Sequence, residues 1–555
     1  MKQILTFSLF SAAASILPAQ NTISTLTGPS TSTYFGEAVA NAGDVNGDGT
    51  NDIIVGARGG PGPNSEPGRV LVFSGRDSHL LFQVDGVAGM NSFFGDAVAG
   101  VGDVNGDGKG DILVGDPGGA RTAYLYSGAS TPGNAILLYS WTGTSIGDGF
   151  GYAVAGVGDV NLDGVPDVAV GAPGFGQLSN GQQGFLPGYV QVRSGFDGSL
   201  IYTVTGTAAR SRFGFAIAAL GDINGDNRDD FAIGAPTHTQ MAGLFNQGAV
   251  RAVSGTSATI FEVRGTAANQ GLGFSVAAAG DQNADGTPDL IVGAPYTNTF
   301  DGMARVLSGS TGGVIFTYLG TAGSQEQLGV SVDALRNSVF GTPAELLISG
   351  PLAGSGRVAV YQGLTLMSNY VGDSAADEFG WGLASLGDIN EDGGIDFVAG
   401  AHFNGNGYAR VMSDQTLTLW SDVHEINYGT GGTQTLTMQV SPAIGATDYW
   451  IFASLTGTGP LPVGNGVTLP LTYDAFTGQV IAATNTAMFP GFQGPLSAGG
   501  PMSTGVGAVV VPANVPNMLG VTLYFAGLGY ESSTSTNLVG TNYVTLRLTL
   551  PPVGP

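Results

Sequence analysis

A chain of 555 residues exceeds what one ordinary hydrophobic core supports, so several domains or a repeat architecture are expected. Hydrophobic residues make up 43% and are spread along the whole length, which excludes a disordered chain; 94 glycines against 11% charged residues describe short strands and tight turns rather than exposed charged helices. A formal charge of −25, with Lys2 and Lys109 the only lysines, argues against nucleic-acid binding and against anionic membranes.

In chain order, residues 1–19 read as a secretory signal: Lys2 gives a positive start, Ile4 to Leu17 is a short apolar run, and Leu17-Pro18-Ala19 ends on a small residue. The run is too short to span a bilayer, and no later stretch qualifies as a transmembrane segment. Secretion agrees with the absence of cysteine if a cation rather than disulfides ties the loops. Thr22-Ile-Ser-Thr-Leu-Thr27 then has the pattern of a strand.

A repeat follows. It opens on Phe-Gly or Leu-Gly at Phe35, Phe94, Phe150, Phe213, Leu272, Leu328 and Phe379, seven copies spaced 51 to 63 residues apart. Each copy continues with small apolar residues, an acidic loop, a β-branched run such as Asp167-Val-Ala-Val-Gly-Ala-Pro173, a variable loop and two further short strands. Four strands per unit and seven units predict an all-β, seven-bladed β-propeller over residues 20–421; an open solenoid is the structural alternative. To close such a ring, either Thr22–Thr27 or Thr416-Leu-Thr-Leu-Trp420 suits the fourth strand of the last blade.

Six of the seven copies carry a nine-residue loop with acids or amides at alternate positions. Positions one, three, five, seven and nine are Asp44, Asn46, Asp48, Thr50 and Asp52; Asp103, Asn105, Asp107, Lys109 and Asp111; Asp159, Asn161, Asp163, Val165 and Asp167; Asp222, Asn224, Asp226, Arg228 and Asp230; Asp281, Asn283, Asp285, Thr287 and Asp289; and Asp388, Asn390, Asp392, Gly394 and Asp396. Side chains at one, three, five and nine can converge with the carbonyl of position seven to form the oxygen-only shell that Ca²⁺ favours. Position six is Gly in five loops and Asn227 in the other, residues that tolerate a left-handed backbone. Asp, Asn and Gly also build plain turns, but six copies in register predict about six calcium sites. The aspartates at positions one, five and nine supply 18 of the 42 acids, and six divalent ions would reduce the net charge to −13. The sixth copy lacks the ladder between Val332 and Glu345, so a blade without calcium is expected there.

Beyond about Asp422 the period stops. Strand-like runs at residues 435–440, 449–454, 467–473, 507–511, 521–526 and 543–550 predict a β-sandwich-like domain over 422–555.

Phe213-Gly214, Asp222-Ile-Asn224-Gly-Asp226-Asn-Arg228-Asp-Asp230 and Gly234-Ala-Pro236 resemble, in order, the elements of the FG-GAP repeat of integrin α-subunit propellers and of many secreted bacterial proteins. The resemblance covers about residues 22 to 420. Departures occur at Ala57-Arg58, Gly115-Asp-Pro117, Ser349-Gly-Pro351 and Ala401-His402, and at the two Leu openings. The resemblance implies calcium loops joining the first two strands on one face and a ligand-binding face opposite.

On that opposite face the loops after the second strand are long in blades three, four and five, with Phe175, Phe185, Leu186, Phe245 and Phe300 as candidate contacts for a protein or sugar. Arg210 and Arg212 could meet an acidic partner or pair locally. No nucleophile motif is present, and general-base work by His238 and His402 would need a positioned partner that the sequence does not show. The reading is a secreted, non-enzymatic, calcium-binding adhesion module for an extracellular protein or polysaccharide. The alternatives are a propeller-based hydrolase or lyase acting on polysaccharide or phosphoesters, and a calcium-dependent structural surface protein.

Overall fold

The computed structural model describes residues 22–28, 34–59, 67–87, 93–118, 120–174, 186–239, 245–335, 343–375, 377–390, 394–403 and 407–413, together with the backbone of strands between 418 and 549. Residues 1–19, for which a signal is expected, lie outside them, as do the side chains and the expected sandwich packing of the C-terminal region. The backbone there pairs into a four-stranded sheet, a five-stranded sheet and a hairpin.

Residues 22–413 form a seven-bladed β-propeller, each blade four antiparallel strands in sequence order, and the seventh completed from elsewhere in the chain. The second strands, Asp52–Ala57, Asp111–Asp116, Asp167–Ala172, Asp230–Ala235 and Asp396–Ala401, are buried at every position. Sandwiched between neighbouring blades on both faces, they read as continuous β-branched runs. The fourth strands, such as Leu200–Thr205, lie at the rim and are largely exposed or half-buried, with Val204 the buried residue of that strand. Apolar clusters fill each gap between consecutive blades, from Ile54 with Ile112 between the first two to Val398 and Val411 with Ile53 and Val55 between the last and the first. The ring is therefore closed by hydrophobic contact all the way round.

The seventh blade shows how the chain closes. Thr22–Thr27 pairs antiparallel with Tyr408–Ser413, aligning Thr25 with Arg410 and Thr27 with Tyr408. The competing strand, Thr418–Ser421, pairs instead with Gly432–Val440. First and last segments thus share one sheet, so opening the ring requires unzipping it.

Two local devices recur. In the six blades with acidic loops, the pairing of strands one and two slips by one residue just before the loop. A glycine sits at each slip: Gly43, Gly102, Gly158, Gly221, Gly280 and Gly387, with φ between 67° and 79°. Such a bulge re-aims the strand end into the loop. The sixth blade, without the acids, also lacks the slip. The second device explains the repeat's glycines. A Cβ on Gly171, in the second strand of blade three, would overlap the carbonyl oxygen of Gly214, the opening glycine of blade four. Gly214 in turn donates its N–H to the Gly234 carbonyl of its own blade at 3.1 Å. Adjacent blades meet backbone to backbone there, too closely for any side chain.

Candidate functional site

Five of the acidic loops close around their first aspartate. Asp44 Oδ1 accepts the N–H groups of Gly47 (2.6 Å) and Asp48 (3.1 Å), and Oδ2 accepts that of Gly49 (2.8 Å). Asp48 Oδ1 takes the Thr50 N–H at 2.9 Å, leaving the Thr50 carbonyl available. Asp103, Asp159 and Asp222 repeat the pattern, and Asp281 accepts the N–H groups of Asp285 and Gly286. Loop positions seven at Lys109, Val165, Arg228 and Thr287 have their N–H groups held in the same way by Asp107, Asp163, Asp226 and Asp285. In the last loop Asp396 accepts the Ile389 N–H at 3.0 Å, while Asp392 lies outside the described residues.

The ninth position does something the sequence pattern did not disclose. Asp167 Oδ2 accepts the Val160 N–H at 3.0 Å and Oδ1 the Gly195 N–H at 3.2 Å, so one carboxylate joins its loop to the turn after the third strand. Asp52, Asp111, Asp230 and Asp289 do the same with Gly75, Gly128, Gly255 and Gly309. All five are fully buried. Burial pushes Asp167 up to about 7 and Asp52, Asp111 and Asp230 up to about 6; the backbone N–H groups pull these values down, and the neighbouring position-five aspartates raise them. Among the described residues no salt bridge reaches any of these five carboxylates. A buried anion held only by N–H groups is a site that a cation would stabilise. Among the described residues no group of three or more acidic or histidine side chains is already gathered as a metal shell. Each carboxylate oxygen that accepts one N–H keeps further lone-pair capacity, so the donor chemistry fits calcium.

The opposite face is built by the residue that follows each opening glycine, a position the sequence reading passed over: Glu37, Asp96, Tyr152, Phe215, Phe274, Val330 and Trp381. Aligning the seven copies would have shown it. Tyr152, Phe215 and Phe274 form an aromatic line, with ring centroids 4.8 and 4.9 Å apart, that continues through Tyr296 (5.6 Å) to Phe300 (5.7 Å). On the other side Arg58 pairs with Glu37, lies 3.7 Å from Asp96 and stacks over Tyr34 at 4.4 Å. Two carboxylates share one guanidinium there. Burial raises Glu37 to about 7 against the pull of Arg58, and raises Asp96 to about 6.

The two histidines that flank this face do not share a site. His402 packs against Trp381, Phe403 and Tyr34, and burial, aided by the Arg58 charge, lowers it to about 4. His238 is also lowered by burial, and the charges acting on it are those of Glu262, Arg264 and Arg251. His238 Nε2 and His402 Nδ1 are buried and have no hydrogen-bond partner among the described residues.

A cleft of about 650 Å³ opens between the loops of blades four and five. Asn246, Asn269, Tyr296, Asn298, Thr299 and Phe300 are among its lining residues. Phe245 beside it is 62% exposed and Phe300 is 45% exposed, so neither tucks back onto the rim. Phe175 and Phe185 lie outside the described residues. A second cavity, about 520 Å³, runs along the axis. There Asp333 Oδ2 accepts the Ser385 N–H at 2.7 Å, and Asn41 donates to the Ser385 carbonyl at 3.2 Å.

Blades that open on Phe-Gly, clasp through Gly-Ala and turn through acidic loops define the FG-GAP class of β-propeller. The family model described as FG-GAP repeat matches residues 35–73, 150–186, 213–253 and 272–307. Integrin alpha-V of Gallus gallus is 33% identical over 231 residues, 39% of this chain and 22% of that protein. Integrin alpha-8 of Homo sapiens is 34% identical over 221 residues, 37% of this chain and 20% of that protein; integrin alpha-PS2 of Drosophila melanogaster is 29% identical over 234 residues, 40% and 16%. This chain is an integrin alpha-like FG-GAP β-propeller protein, and its matched part spans about a fifth of the length of these relatives.

Proposed function

We propose that this chain is a secreted binding or adhesion module, stapled by calcium on one face and meeting an extracellular protein or glycan on the other. The observation that carries the calcium reading is the set of fully buried position-nine aspartates, which no salt bridge neutralises among the described residues. In the first loop Asp44, Asn46, Asp48, the Thr50 carbonyl and Asp52 would hold the ion, and the equivalent residues would do so in the other five. Bound there, calcium supplies positive charge and coordination rather than chemistry on a substrate. Its effect is to hold the end of strand one, the start of strand two and the turn after strand three together.

The similarity to integrin alpha subunits supports a ligand-binding role for the opposite face, and its two histidines are buried apart rather than assembled as acid and base. No described helix is long and apolar enough to cross a membrane, which is compatible with secretion. Arrays of extracellular proteins and glycans, probed with the full chain in calcium and in EDTA, test the reading. Saturable, calcium-dependent capture is expected; a chain that stays folded in calcium and binds nothing would contradict it.

A further inference from the structure

We infer that the cleft between blades four and five binds a neutral saccharide. The inference rests on the binding-module reading and gives it a site and a ligand class. Three observations converge on the cleft.

The first is its chemistry. Among the described residues its lining consists of amide and hydroxyl side chains, two alanines and two aromatic rings, with no carboxylate, guanidinium, ammonium or imidazole, although the chain carries 42 acids. The Arg212 charge acts on Tyr296 from outside this lining, so a charged ligand would find no counter-charge in direct contact with it. Asn246 and Asn269 bond to each other through one donor and one acceptor at 3.3 Å, which leaves each with amide capacity to spare. Asn298 and Thr299 are exposed and make no side-chain hydrogen bond among the described residues. Groups that both donate and accept match sugar hydroxyls, which do the same, and the Phe300 ring beside them offers a flat apolar surface to the C–H face of a pyranose.

The second is the backbone. Asn298, Thr299 and Phe300 adopt φ of 52°, 62° and 74°, three successive non-glycine residues in the left-handed region, and Asn246 and Asn269 add 53° and 56°. For a β-branched and a bulky aromatic residue such φ values are outliers, and strain of this kind concentrates at ligand sites. The turn is held in place, with Gly302 donating to the Thr297 carbonyl at 3.0 Å and Gln327 to the Phe300 carbonyl at 2.8 Å.

The third separates a saccharide from a peptide. Extended peptides are gripped through free main-chain groups or charged anchors. Here the carbonyls of Phe245, Asn246, Gln247 and Gln270 already accept the N–H groups of Asn269, Gly271, Leu272 and Tyr296. Those carbonyls are engaged, while the side chains of Asn298 and Thr299 remain exposed to meet a ligand. Its volume lies within the usual range for small-ligand sites.

The test uses the full chain in calcium against immobilised neutral gluco-, manno-, galacto- and xylo-oligosaccharides, uronate and sulfated oligosaccharides, and a hexapeptide library. Phe300→Gly and Asn298→Gly remove the side chains while keeping a residue suited to positive φ, so their melting temperatures should match or exceed that of the parent. Binding to at least one neutral oligosaccharide, weakened at least about tenfold by Phe300→Gly and also reduced by Asn298→Gly, is expected. The inference is overturned if no neutral sugar binds, if one binds but both variants bind it equally, or if the variants affect only a charged sugar or a peptide. Binding of another probe, unchanged in both variants, would leave the module reading standing without this site; no binding to any probe would overturn this inference, and the module reading would fall only if the protein array were silent as well.

Discussion

Asp167 shows at a single residue how two roles share one side chain. Its carboxylate is fully buried and bridges Val160 to Gly195, so it belongs to the fold, and it occupies position nine of a loop whose other oxygens invite a cation. Asp167→Asn removes the charge and leaves one acceptor oxygen where the carboxylate has two, so the Val160 and Gly195 N–H groups can no longer both be satisfied. The expected outcome is some loss of melting temperature in EDTA and a clearly larger loss in calcium, read by differential scanning calorimetry; an equal loss in both would assign the residue to structure alone. Gly171→Ala tests the backbone clasp. The added methyl must displace the Gly214 carbonyl, and the expected cost is about 1–3 kcal/mol in denaturant unfolding. His402 gives a pH dependence. An exposed imidazole binds its proton near pH 6.5, and this one near pH 4, so between those values the unfolded chain holds more protons and stability falls as the solution is acidified. The loss is on the order of 3 kcal/mol. In saturating calcium, His402→Phe should flatten the fall in melting temperature between pH 6.5 and 4, whereas an unchanged slope would place the titrating group elsewhere. Glu37, raised to about 7, acts in the opposite sense: its contribution is present below the usual carboxylate range and is lost as pH rises through 7.

The elements were legible in the sequence to different depths. The second strands were plain because burial on both faces demands an unbroken apolar run, and the loops were plain because acids and amides alternate in them six times in register. The sixth blade could be read through its missing acids because Glu345–Gly350 keeps the strand pattern. Ring closure was not legible: Thr22–Thr27 and residues 416–420 have similar short strand patterns, and only long-range register separates them. The cleft was half legible, since Phe245 and Phe300 stood out as loop aromatics while the left-handed turn that presents Phe300 leaves no composition signal. The closing strand makes its own prediction. A chain beginning at Pro29 would leave Tyr408–Ser413 as an unpaired edge, and exposed edges recruit other chains. Such a truncation should aggregate or melt well below the parent by light scattering and calorimetry; wild-type behaviour would mean another strand closes the seventh blade.

Across the whole molecule the proposed function gives the two faces separate tasks. A ring whose apolar clusters run through every blade junction is rigid enough to hold loops at fixed spacing, and a net charge of −25 gives it a reason to bind cations. The loop aspartates would repel one another less with a cation bound, and the chain has no cysteine to hold those loops otherwise. The other face carries aromatic rings, amides and the Arg58 guanidinium shared by Glu37 and Asp96. The account stands or falls on the acidic side, which thermal unfolding of the purified full chain in EDTA and in millimolar calcium tests most directly. A melting temperature lower by several degrees in EDTA and restored by calcium is predicted, because an ion that binds only the native state raises stability with its concentration, by about 2.7 kcal/mol per site at a hundredfold excess over Kd. Identical melting curves in EDTA and in calcium would contradict the account.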